Sequence, residues 1–129
     1  MPYGKIQTVV RVTKDFKETT RIWEVDPPDT LALDEAFLTT GGMSQIIAVA
    51  NGASDQQLSI GGLSTAKLLH LWADGGITVK LNTTGGTALP IGSGTSQAGL
   101  LTLVGDGITA VYVSNSSGST RALRYAVAG

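Results

Sequence analysis

The first candidate for a catalytic residue in this chain is its single histidine. His70 stands between Leu69 and Leu71 in an alternating stretch, so we expect it to face away from both leucines and to lie beside Trp72. A catalytic triad needs a serine and a carboxylate next to the imidazole, and no Gly-x-Ser-x-Gly nucleophile elbow occurs in the sequence. We therefore interpret His70 as a surface or interface histidine, and we predict no catalytic residue and no enzyme activity.

Metal and phosphate chemistry have equally little support. Asp74 and Asp106 are isolated acids in glycine turns, whereas a calcium loop gathers several oxygen ligands at short spacing. The absence of cysteine excludes a thiolate zinc site and a disulfide framework. No Gly-Lys-Ser or Gly-Lys-Thr string is present for a phosphate-binding loop. We therefore predict no metal and no cofactor.

Two tripeptides match the pattern for attachment of an N-linked glycan, Asn82-Thr83-Thr84 and Asn115-Ser116-Ser117. No apolar signal segment follows the first residues, so we interpret both tripeptides as polar turns.

The composition predicts a single domain that binds neither nucleic acid nor a membrane. The 129 residues carry a formal charge of −1, and binding to phosphates needs a surplus of lysine and arginine. The wholly apolar runs are only a few residues long, far too short to span a bilayer.

Charge is concentrated near the N-terminus. Residues 1–35 hold 12 of the 19 charged residues, and 16 of the 17 glycines follow residue 40. Two prolines at Asp26-Pro27-Pro28-Asp29 interrupt any sheet ladder between these zones. We therefore predict an N-terminal arm or ribbon over residues 1–28 and a β-sandwich domain over residues 29–129.

The body of the chain has the period of β-strands, because apolar and polar residues alternate in several short stretches. Asn-Gly and Asp-Gly pairs between these stretches are typical of tight hairpin turns. The pattern predicts an all-β fold, an antiparallel β-sandwich of jelly-roll-like or immunoglobulin-like type, with at most one short helix over residues 30–38. The strands are predicted at residues 45–51, 57–61, 69–73, 77–82, 99–104, 109–114 and 122–127.

The N-terminal zone holds two further strand patterns, one at Ile6, Val10 and Val12 and one over residues 22–25, with a polar loop at residues 14–20 between them. They could form a ribbon that joins the sandwich or an arm that reaches away from it, and the sequence leaves both open.

The stretches 66–82, 88–91, 100–104, 108–115 and 122–129 resemble a pattern found in small bacteriophage virion proteins. These are β-sandwich proteins that decorate or cement capsids, or that belong to the tail and its fibres. The resemblance covers about residues 60–129 and carries over no functional residue. It implies a role in assembly, many copies, and a location on the virion capsid surface after assembly in the host cytoplasm.

Three functions follow as hypotheses. The first is a non-enzymatic capsid decoration or cement protein whose partners are the major capsid protein or another virion protein, and itself as a homodimer or homotrimer. The second is a tail- or fibre-associated carbohydrate- or receptor-binding module with an aromatic platform. The third is a small hydrolase built around His70. For the first we predict four partner-binding residues, Ile22, Trp23, Val25 and Trp72.

Overall fold

β-Strands make up the regular secondary structure of the residues described by this computed structural model, which are residues 6–7, 10–13, 21–25, 32–33 and 42–129. The chain divides into two compact units, Met1–Thr39 and Thr40–Gly129. In the first unit β1 (Ile6–Gln7) pairs with β4 (Ala32–Leu33), and β2 (Val10–Thr13) pairs with β3 (Arg21–Val25), all antiparallel. The strand patterns predicted in this zone fall in β1, β2 and β3, and the assignment of residues 1–28 to an arm or ribbon stays a prediction.

The second unit is a β-sandwich of two antiparallel four-stranded sheets, as the sequence predicts. The first sheet has the order β10-β7-β12-β5, and the second has the order β6-β11-β8-β9. The first sheet is built from β5 (Gly42–Val49), β7 (Ala66–Ala73), β10 (Gly99–Ile108) and β12 (Arg121–Ala128). The second sheet is built from β6 (Gln56–Gln57), β8 (Ile77–Leu81), β9 (Leu89–Ile91) and β11 (Val111–Ser114).

The core lies between the two sheets and follows directly from the period of two. Leu69 and Leu71 of β7 and Leu123 of β12 are fully buried, and they pack in one cluster with Val79 and Val111 of the opposite sheet. Burying a leucine or valine side chain contributes roughly 1.5–3 kcal/mol. The alternate residues of each strand therefore point outward, and those of the first sheet form the surface described below.

Several local predictions are corrected by the sheet topology. Ala32 and Leu33 pair as β4, so the predicted helix is wrong at these two residues, and the rest of residues 30–38 lies outside the described residues. Asp74-Gly75-Gly76 joins β7 to β8, which belong to different sheets, so this turn is a corner and not a hairpin. Asp106-Gly107 lies within β10, where the register with β7 shifts between Val104 and Ile108.

Tyr125 connects β12 to the segment that precedes β7. This residue is 1% exposed, and its hydroxyl donates a hydrogen bond of 2.9 Å to the carbonyl oxygen of Ser59. Burial raises the pKa of the Tyr125 phenol above its ordinary value of 10.0, because the phenolate would lose its hydration.

We expect Tyr125→Phe to alter the alkaline stability of the protein. The unfolded chain releases the phenolic proton near pH 10.0 and the folded chain only at higher pH. The contribution of this group to stability is therefore fully present below pH 10.0 and is lost as the pH rises through the raised pKa. Phenylalanine costs about 1 kcal/mol at pH 8 through the lost hydrogen bond and removes this alkaline decline. Urea unfolding at pH 8 and pH 11 measures both effects, and parallel declines in the two proteins would contradict the assignment.

Candidate interaction surface

The outward side of the first sheet carries the candidate interaction site of the sandwich. Residues paired across neighbouring strands lie on the same face of a sheet. The observed registers pair Leu100 of β10 with Trp72 of β7, Trp72 with Arg124 of β12, and Arg124 with Ile46 of β5. These four residues form a continuous row across all four strands, which we call the outer row.

The outer row exposes large apolar side chains. Leu100 is 64% exposed, Ile46 is 67% exposed and Trp72 is 36% exposed. The guanidinium carbon of Arg124 lies 5.7 Å from the centre of the Trp72 ring, within the range of a cation–π contact. An open groove beside β5 is lined by Ser44, Gln45, Ile46 and Arg124. Side chains of this kind, aromatic and arginine together, are enriched where proteins bind proteins.

This face is also poor in charge. Among the outward residues of β5, β7 and β12, and of β10 as far as Val104, Arg124 is the one that carries a full charge at neutral pH. The others are apolar residues, glycine, serine, threonine and His70. Four strands of about eight residues form a patch of about 500 Å², at the upper end of what a monomer exposes without a binding partner. The face is therefore suited to contact with another macromolecule.

His70 lies on this face and next but one to Trp72 along β7, as the alternation predicts, and the observed register places it opposite Thr102. Its Nδ1 atom is 2.7 Å from the Thr102 hydroxyl. Among the described residues, the hydrogen-bond partner of the His70 ring is this threonine. A hydrolase would need a serine and a carboxylate beside the ring instead. The third hypothesis therefore gains no support here, and the absence of enzyme activity stays a prediction.

The four predicted partner-binding residues fall into two groups. Trp72 lies in the centre of the outer row. Ile22, Trp23 and Val25 lie in β3, where the backbone register places Trp23 opposite Val12 of β2.

Sequence reasoning missed Ile46 and Leu100. Each belongs to a pair of adjacent apolar residues, Ile46-Ile47 and Leu100-Leu101, inside a predicted strand. Adjacent strand residues point to opposite faces, so one member of each pair has to lie outside. That signal was available in the sequence.

Polar clusters elsewhere in the sandwich serve to hold the fold together. The Lys80 ammonium donates to the Asp55 carboxylate at 3.1 Å, and Arg121 donates to the Thr95 carbonyl oxygen at 2.9 Å. Within the part of the chain that the structure describes, no three histidine or acidic side chains gather as a metal site would require. The prediction of no metal stays a prediction.

Both asparagines of the glycosylation-like tripeptides use their amide groups inside the fold. Asn115 is 1% exposed and donates to the carbonyl oxygens of Val49 and Ser119. Asn82 donates to the carbonyl oxygen of Gly107 and accepts from the Thr109 backbone N–H. These contacts support the interpretation as structural turn residues.

The described residues include no helix of the length and apolar character needed to cross a membrane. Comparisons of the chain with protein-family models, with curated proteins and with solved structures give no match.

Proposed function

We propose that this chain is a non-enzymatic assembly protein that binds a larger protein surface through the outer face of the β10-β7-β12-β5 sheet. In the setting implied by the sequence resemblance, that surface is the outside of a bacteriophage capsid, which the protein decorates or cements. The major capsid protein or another virion protein is the proposed partner of this face, and the chain is also proposed to associate with further copies of itself.

The observation that carries the proposal is the outer row. It combines three exposed apolar side chains with one arginine that is stacked on a tryptophan. The centre of a protein interface is depleted in charge and enriched in aromatic residues and arginine. When Arg124 keeps its contact with Trp72 in such an interface, the cation–π attraction offsets part of the free-energy cost of removing the guanidinium from water.

Repetition turns a modest contact into a stable attachment. A patch of about 500 Å² on each side is at the low end for a stable pair of proteins. A capsid lattice offers many equivalent sites. Once one copy in an oligomer has bound, the remaining copies bind as if the contact were intramolecular, so the overall affinity exceeds that of one contact. This reasoning supports a decoration or cement role over that of a free soluble binding partner.

The test is co-sedimentation of the purified chain with empty shells assembled from the major capsid protein of the same virus. We expect Leu100→Lys to weaken binding at least tenfold, because the exposed leucine is replaced by a charge that the contact would have to desolvate. Leu89→Lys is the matched control, since Leu89 is 37% exposed but lies in β9 of the other sheet. Equal binding of Leu100→Lys and the unmodified chain, or no binding by either, would refute the proposal.

A carbohydrate- or receptor-binding module is the second candidate, favoured by the position of Trp72 beside the polar pair of His70 and Thr102. An exposed aromatic ring flanked by hydrogen-bonding groups is suited to stacking on a sugar. Arg124 already lies over the Trp72 ring, which leaves less of the ring for a sugar. A glycan array probed with the unmodified chain, with Trp72→Ala and with Trp23→Ala distinguishes the two candidates, because only the second requires glycan binding that depends on a tryptophan.

A further inference from the structure

The edge strands of the sandwich differ in how they are protected from pairing with another chain. An exposed strand edge presents free backbone N–H and C=O groups, and proteins normally block it with charges, proline, bulges or very short strands. The two sheets of the sandwich have four edge strands, β10, β5, β6 and β9.

Three of these edges carry a protective feature. The β10 strand contains the register shift between Val104 and Ile108, and its first residue, Gly99, lies against the backbone of Gly92. The β9 strand is three residues long and includes Pro90. The β6 strand has two residues, Gln56–Gln57. Each of these features limits the pairing of a further strand.

The β5 strand has none of these features. Its eight residues, Gly42–Val49, include no charged residue and no proline. Its register with β12 runs without a shift from Gly42 to Val49, so there is no bulge. Ser44, Gln45, Ile46 and Ala48 are exposed along it. The β5 edge is thus a long, straight and uncharged template for another strand.

We propose that β5 pairs antiparallel with β5 of a second copy of this chain, around a two-fold axis at Ile46, to form an eight-stranded sheet. The inference rests on the proposed assembly function and names the self-association within it. A two-fold axis perpendicular to the sheet keeps each residue on its own face, so the outer rows of the two copies join at Ile46. Because β5 carries no charge, the pairing places no like charges opposite each other.

In this pairing the Ile46 side chains of the two copies lie opposite each other on the outer face of the sheet. Among the described residues, Ile46 has the largest exposed fraction of the large hydrophobic residues. Its burial against an identical side chain favours the self-pair over a partner that would bring a polar residue there.

The dimer is expected to be weak and reversible. A paired edge of eight residues, about 26 Å long and about 10 Å thick, buries about 500 Å² in total, well below the 1,200 Å² of a standard interface. The main-chain hydrogen bonds supply most of the affinity. We expect a Kd on the order of 10 µM, so the full chain changes from monomer to dimer over a range accessible to sedimentation velocity.

Sedimentation velocity of the full chain from 1 to 500 µM tests the proposal, with Ile46→Lys and Leu100→Lys as a matched pair. We expect Ile46→Lys to remain monomeric throughout, because it places two ammonium groups at the axis. Leu100→Lys lies at the opposite edge of the same sheet and is expected to dimerise like the unmodified chain. A monomeric unmodified chain at 500 µM, or equal dimerisation of Ile46→Lys, would overturn the inference.

A second measurement uses the absence of cysteine. In the full chain Ile46→Cys is expected to form an interchain disulfide under mild oxidation, since opposed residues of antiparallel strands have the required spacing. Leu100→Cys, similarly exposed, is the control and is expected to stay unlinked. Equal cross-linking of the two variants would overturn the β5 pairing. Capsid co-sedimentation of Leu100→Lys reports on the proposed function independently, so a failed dimer leaves that result standing.

Discussion

Replacement of Asn115 by alanine is expected to lower the free energy of unfolding by about 3 kcal/mol. The side-chain amide of this buried residue donates to the carbonyl oxygens of Val49 at 2.8 Å and Ser119 at 2.9 Å. Its carbonyl oxygen accepts from the Ser117 N–H at 3.0 Å. Alanine would leave three backbone groups without these partners, and each buried unsatisfied group costs about 1–3 kcal/mol.

The position of Asn115 in the fold explains why the loss affects the whole sandwich. Asn115 follows β11 in the second sheet, and Val49 is the last residue of β5 in the first sheet. The Asn115 backbone N–H also donates to the Ala53 carbonyl oxygen at 2.9 Å, and this bond remains in the alanine variant. Asn115 therefore connects the end of β11 to the end of β5 and to the turn that follows β5.

Thermal and urea unfolding measure the Asn115 effect, and a loss of about 3 kcal/mol corresponds to a melting temperature lower by about 12 °C. Asn51→Ala is the control, since that exposed side chain accepts one hydrogen bond, from the Gly118 N–H at 3.1 Å. We expect the control to change stability by less than about 1 kcal/mol. Asn115→Asp is expected to be at least as harmful as alanine, because a carboxylate would face two carbonyl oxygens. Similar stabilities for Asn115→Ala and Asn51→Ala would contradict this account.

Strand positions in the sandwich could be predicted from the sequence because the buried residues alternate. Leu69, Leu71 and Leu123 mark the inside of β7 and β12 by spacing alone. Strand partners could not be predicted in this way. An Asp-Gly pair such as Asp74-Gly75 favours a turn of the backbone, but it does not specify whether the next strand returns to the same sheet or crosses to the other one. In this sandwich β8–β9 is the one sequence-adjacent pair of strands that are hydrogen-bonded to each other.

The sequence alone likewise does not predict which residues come together in the outer row. The exposure of Trp72 follows from alternation within β7. The assembly of Leu100, Arg124 and Ile46 around it requires three strand registers that connect residues up to 78 positions apart. Local sequence carries no information on those registers, so the row becomes visible only in the folded structure.

Gly99→Ala is the second substitution with a large expected effect, about 3 kcal/mol of lost stability. A Cβ atom at Gly99 would lie 2.8 Å from the Cα atom of Gly92 and 3.0 Å from the carbonyl carbon of Ile91. Both neighbours are backbone atoms, so the overlap cannot be relieved by rotation of a flexible side chain. The two strands have to separate where β9 and β10 approach each other.

Gly62→Ala is the matched control for this substitution. A Cβ atom at Gly62 meets nothing within 4 Å, and the Gly62 backbone is not in the left-handed region. The added methyl group restricts the unfolded chain there, so we expect unchanged or slightly higher stability, by up to about 1 kcal/mol. Thermal unfolding of the two variants compares the effects directly, and equal melting temperatures would show that the contact between Gly92 and Gly99 does not limit the packing.

Separation of β9 from β10 should also change how the protein associates. Close contact between Gly99 and Gly92 is part of what protects the β10 edge, leaving β5 as the edge open to a second copy. Gly99→Ala frees the start of β10, and a molecule with two open edges can pair on both sides and form chains instead of closed dimers. We therefore expect sedimentation of Gly99→Ala below its melting temperature to show species larger than a dimer, and Ile46→Lys in the same chain to reduce them to dimers at most. Persistence of large species in the double variant would mean that β5 is not one of the two edges involved.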